Sequence, residues 1–180
     1  MNPVINSVFT RINNIRLDEL EVMNGRIYRI GFNKHVLSAA GIYSTLHFHT
    51  PASPHGVYYT YTTLDRVGED GNITLIEGGT YTGGTPTTEW NTNRRFKNQA
   101  SGLTDLKVGV SNVVPLTTII GGIAAPSRYL AGVVQGAYKA AASAEVGGFI
   151  ELEPDQDYTV KVTSLTGVIT LGMILALVVF

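Results

Sequence analysis

Apolar and polar residues alternate with a period of two over much of this chain, the signature of strands with one buried face. The pattern begins near Gly25 and runs through 26–32 (RIYRIGF), 41–49 (GIYSTLHFH), 57–64 (VYYTYTTL) and 72–77 (NITLIE). It resumes at 105–113 (DLKVGVSNV), 148–153 (GFIELE) and 157–164 (DYTVKVTS). In the last of these, Tyr158, Val160 and Val162 are predicted to point inward and Thr159, Lys161 and Thr163 outward. Uncharged residues fill 167–180, GVITLGMILALVVF. A membrane-spanning helix needs about 20 apolar residues, so this shorter run predicts a strand covered on both faces, or two short strands with Gly172 as a bulge. Turn chemistry separates the strands, and Asp70-Gly71 reads as a hairpin turn. About eight strands at this spacing predict an all-β sandwich or barrel.

Two segments fall outside the alternation. Residues 1–24 hold a charge-dense run, RLDELE at 16–21, and are predicted to form an N-terminal arm docking on a neighbour, or a frayed leader. The domain proper then spans 25–180. Residues 114–147, rich in Gly and Ala, are predicted to be one long insertion loop, a contact surface or a plain flexible connection, with a short helix possible at 137–145.

Composition narrows the function. Of 180 residues, 15% are charged, below the roughly 25% usual in soluble domains, so part of the surface is expected to be covered by another molecule. A net charge of −1 leaves no basic track for nucleic acid; only Arg94-Arg95 with Lys97 is locally basic. With no cysteine, disulfides and thiolate chemistry are excluded, and folding in a reducing compartment is expected. No signal peptide and no membrane partner are expected.

One pair of residues invites a chemical reading. His47 and His49, two apart on a strand, project from one face and can converge on a metal, with His55 as a third ligand. The spacing from Gly41 resembles the first half of a cupin metal motif. The Glu that should follow is replaced by Pro51-Ala52-Ser53-Pro54, and no His occurs after His55. The competing expectation is that Tyr43, Thr45, His47 and His49 are simply the polar face of a strand whose other face is Ile42, Leu46 and Phe48. No G-x-S-x-G or phosphate loop is present, and no cofactor is expected. Tyr58, Tyr59 and Tyr61 form an aromatic stripe suited to a core, a subunit interface or a sugar.

Two further stretches carry a resemblance. Glu77-Gly78, then Gly83-Gly84-Thr85-Pro86 and Asn91-Thr92-Asn93-Arg94, together with Leu152-Glu153-Pro154-Asp155-Gln156-Asp157-Tyr158-Thr159-Val160, are similar to the motifs of jelly-roll proteins and modules that decorate tailed-phage virions. The likeness covers roughly residues 25–180; the insertion and the Val178-Val179-Phe180 ending depart from the pattern. It implies a jelly-roll-like β-sandwich acting not as an enzyme but as a head decoration (cement) protein on the capsid surface. Such a protein forms a homotrimer more readily than a dimer, and its partners are the major capsid protein or other virion proteins. The alternatives are a fibre or receptor-binding module recognising host glycans and, more distantly, a cupin-like metalloenzyme. In the cement reading, Trp90, Asn91, Asn93, Arg94, Tyr59 and Tyr61 are the expected interface residues, with the Asn-Arg loop also able to tie down its own segment.

Overall fold

The computed structural model describes residues 24–52, 56–93, 95, 98–131 and 150–180. The expected arm, the short helix at 137–145, His55 and Arg94 lie outside them. Eight strands make the frame: β1 (Ile27–Leu37), β2 (Tyr43–His49), β3 (Val57–Gly68), β4 (Gly71–Glu77), β11 (Arg128–Leu130), β12 (Ile150–Leu152), β13 (Asp157–Ser164) and β14 (Ile169–Val179). Between β4 and β11 run six shorter or peripheral strands: β5 (Thr80–Thr82), β6 (Thr85–Pro86), β7 (Trp90–Asn91), β8 (Thr104–Val110), β9 (Thr118–Ile120) and β10 (Ile123–Ala124).

The frame strands form two antiparallel sheets. One has the order β12-β3-β14-β1-β7; the other runs β10-β4-β13-β2-β8-β6, with β11 also on β4. Consecutive frame strands therefore alternate between sheets, except β4 and β11, which pair. That is jelly-roll topology: an all-β sandwich, as expected. The order also corrects a local expectation. Asp70-Gly71 does not close a hairpin of paired strands; it carries the chain from β3 in one sheet to β4 in the other. The bend after Leu152 likewise crosses between sheets.

Burial follows the alternation. Tyr158, Val160 and Val162 lie inside with Leu46, Phe48, Ile30 and Leu64. The uncharged run at 167–180 supplies β14, a single strand bonded on one side to β1 and on the other to β3. Leu171, Met173, Leu175 and Leu177 face the core, while Ala176 and Val178 are buried on its other side. The bulge is not in β14. It lies in β1, where Asn33 and Lys34 stand between the residues paired with Met173 and Leu171. Gly172 faces it, and a Cβ there would come within 2.6 Å of the Asn33 carbonyl oxygen.

The described part of the predicted insertion, 114–131, is organised differently from a loop. Its β9 pairs with β5, and its β10 and β11 both add to β4. The strand expected at 105–113 is β8, which extends the second sheet beyond β2 instead of belonging to the eight-strand frame. The excursion from the frame thus spans 78–127, and its β5 covers part of the outer face of the second sheet through Tyr81.

Candidate functional site

That covered outer face holds the His pair. On β2, the residues Tyr43, Thr45, His47 and His49 face away from the core, and register places Thr163, Lys161, Thr159 and Asp157 of β13 beside them. On the other flank, Lys107 of β8 pairs with His47. This is the polar face expected from the sequence, but it is not open to water. Thr45, His47 and Thr159 are all buried. Tyr81 of β5 lies over them, its ring stacked on His47 at 4.2 Å and its hydroxyl 3.0 Å from Thr45 Oγ1.

The pKa values of the two imidazoles are pushed in opposite directions. His47 Nδ1 is 2.9 Å from Thr159 Oγ1, and its Nε2 is 3.3 Å from Asp105 and 3.7 Å from Asp157. Burial pushes its pKa down, against the opposing pull of the Asp157 and Asp105 carboxylates. The neutral ring donates from Nε2 to a carboxylate and accepts the Thr159 hydroxyl at Nδ1. His49, nearer the surface, sets both nitrogens against acids: Nδ1 at 2.8 Å from Asp157 and Nε2 at 3.2 Å from Asp155. The hydrogen bond to Asp157 is the main reason its pKa is raised. Lys107 lies 2.5 Å from Asp105. Burial alone would raise the Asp105 pKa, but the ammonium of Lys107 and the ring of His47 hold it below the usual range.

Chemically this is a clamp. It fastens β2 to the start of β8 through Asp105 and to the start of β13 through Asp155 and Asp157. Asp105 and Asp155 both adopt left-handed backbone, with φ of 49° and 56°, which Asp tolerates better than most residues. Among the described residues, no three His, Asp or Glu side chains converge to hold a metal ion. His47 and His49 spend their ring nitrogens on carboxylates and a hydroxyl. The sequence reading missed the three aspartates and Tyr81. One signal was present: Asp157 shares the outward parity of Thr159 and Lys161.

A third histidine lies between the sheets. His35 stacks on Phe32 at 3.8 Å and its Nδ1 is 2.6 Å from Ser44 Oγ. Burial pushes its pKa down to about 4. The unfolded chain, with an ordinary imidazole, therefore binds more protons than the folded one between pH 6.5 and 4. Stability is expected to fall across that window by roughly 1–2 kcal/mol from His35, less than the full linkage because the ring is partly exposed. His49 acts in the opposite direction: its contribution is complete below pH 6.5 and is lost as pH rises through its raised pKa. Urea unfolding at several pH values checks this, and His35→Gln should flatten the acid limb.

The expected interface residues are scattered. Trp90 is 51% exposed and pairs across from Arg29 on the first sheet. Its neighbour Asn91 is buried, donating from Nδ2 to the Gly25 carbonyl at 2.7 Å and accepting the Asn93 amide at 2.9 Å. Asn93 Oδ1 accepts the Arg95 amide in turn at 3.1 Å. Both Asn side chains thus accept from their own loop, and Asn91 also ties it to Gly25 ahead of β1. Glu89 accepts from the amide and hydroxyl of buried Ser101, closing the same loop from its far end. The tyrosine stripe is divided: Tyr59 is in the core, its hydroxyl 2.7 Å from Thr62 Oγ1, whereas Tyr58 meets Phe180 edge-on at 5.5 Å on the outer face. Tyr61 stands opposite Ala176 in register, one residue beyond a bulge that separates it from Tyr59. No protein-family model matches the chain, and neither a curated protein nor a solved structure is similar to it.

Proposed function

We propose that this chain is a structural subunit that works by assembly: a homo-oligomer that decorates a tailed-phage virion and stabilises its capsid surface by bridging neighbouring capsid subunits. The observation that carries the assembly part is the distribution of exposed apolar side chains. Val113, Val114, Leu116, Ile120, Ile123 and Tyr129 each expose half or more of their surface, and all lie within 113–129, on the end of the excursion and on β11. Scattered single apolar residues need no explanation, but a run of this kind marks a surface that another molecule covers. The sandwich beneath supplies a rigid support that needs no disulfide, suited to folding in a bacterial cytoplasm and standing in open medium afterwards. The virion setting rests on the motif resemblance at 83–94 and 152–160.

Light scattering on the purified chain as it elutes from a sizing column, with metal analysis of the same peak, tests the assembly. A metal-free dimer or trimer is the expected result. A monomer carrying one equivalent of zinc, iron or manganese would overturn it and return His47 and His49 to the centre of an enzyme hypothesis. Antibodies against the chain should label heads in electron micrographs of particles from its source; label confined to tail tips would favour a fibre module instead.

A further inference from the structure

Among the described residues, two incompletely paired strand edges from opposite sheets meet at one mouth of the sandwich. β1 is strand-paired on its outer side only at Tyr28 and Arg29, with Asn91 and Trp90 of β7. Beyond the bulge at Asn33-Lys34, no described strand runs along that edge. In the other sheet, β8 is paired on its outer side by β6 only at Lys107 and Val108. The edges left over, 34–36 and 109–110, come from opposite sheets and, with Val108, line one opening of about 460 Å³. Gly84 and Thr85 also line it, and Val113, Val114 and Pro115 form a rim.

The chemistry of this opening narrows its occupant. Val36, Val108, Val110, Val113, Val114 and Pro115 make most of the wall, and the lining contains no carboxylate. Its ionisable groups are His35, whose Nδ1 is held by Ser44, and Lys34, on an exposed stem that can carry the ammonium out to water. Such a wall takes an uncharged aliphatic group. The rim itself offers one: Val114 is 84% exposed, the most exposed large apolar side chain among the described residues, in an uncharged run Val113-Val114-Pro115-Leu116. A projecting knob and a hole that accepts it therefore lie side by side on one patch. That is the condition for a self-complementary contact, in which each of two copies inserts its knob into the other.

We propose that this opening is a docking slot for a second copy of the chain, filled by that copy's Val114 and flanked by its Val113 and Leu116. The inference rests on the assembly reading and places its contact at the mouth between β1 and β8. It also gives a role to two strand edges that no described strand covers at this mouth. Edges of this kind are sealed in stable proteins by a covering element, and here the cover is supplied in trans.

The test uses two variants, one on each side of the contact. Val114→Arg places a charge on the knob, and Thr85→Trp fills the hole from an exposed position. Sedimentation velocity is run on the full chain from 1 to 100 µM, with melting temperature as a check that each variant is folded. Wild type is expected to self-associate, and each variant to weaken that association at least tenfold while melting within a few degrees of wild type. If wild type associates and both folded variants associate equally well, the slot is not the contact, although the assembly reading stands. If wild type remains monomeric at 100 µM, both fail.

Discussion

Replacing Leu175 by Ala is expected to cost about 3–4 kcal/mol, among the largest effects of any single truncation in this chain. Leu175 is fully buried in β14, paired with Ile30 of β1 and with Thr62 of β3. Its side chain is therefore walled by both neighbours in its own sheet and by the opposite sheet across the core. Such a site cannot collapse around a cavity without moving strands that are themselves hydrogen-bonded on both sides, so the relaxation that lowers the cost of many core truncations is blocked. Equilibrium urea denaturation measures the loss. A cost under 1 kcal/mol would mean that β14 is not a central strand, and the two-sheet arrangement would have to be redrawn.

Gly68→Ala is the second large effect, expected to cost about 3 kcal/mol or more and to compromise expression of folded protein. Two separate penalties coincide at this residue. Its φ is 127°, where an L side chain is strained, and a Cβ would lie 2.2 Å from the Val168 carbonyl oxygen. The contact arises because the β3–β4 crossing and the β13–β14 crossing are laced together: Glu69 donates to the Val168 carbonyl at 3.1 Å and Leu165 to that of Asp70 at 2.8 Å. Gly41 separates the two penalties. It has a φ of 80° but nothing within 4 Å of the place a Cβ would take, so Gly41→Ala should cost only about 1–2 kcal/mol of backbone strain. Equal losses at the two sites would show that the steric contact at Gly68 is absent.

The frame was legible in the sequence where each strand obeyed its own burial pattern. The segment 157–164 alternates because one face meets the core, and the uncharged run at 167–180 does not because the outer face of β14 is buried too at Ala176 and Val178, although Ile174 on that face is exposed. The strand β11 left no such mark. Three residues long, it is defined by pairing with β4 at Ile73, Asn72 and Gly71, a partner more than fifty positions away, and not by any periodicity of its own. The clamp was half legible for the same reason. His47 and His49 announce a shared face two residues apart, but their acids arrive from β8 and β13, whose places beside β2 are set by sheet order. Asn91 shows the converse: a motif visible in sequence whose side chain turns out to bind the Gly25 carbonyl.

The pairing of β14 has a consequence for the order of events during synthesis. β1 and β3 lie on either side of β14 and are hydrogen-bonded to it, not to each other. While the ribosome is still making the preceding segments, those two early strands have emerged but lack the element that joins them. The first sheet therefore waits for residues 169–179, and until then its apolar faces are exposed in the cell. Contacts so distant along the chain make folding slow, and the nascent protein is a natural client for chaperones that shelter apolar strands.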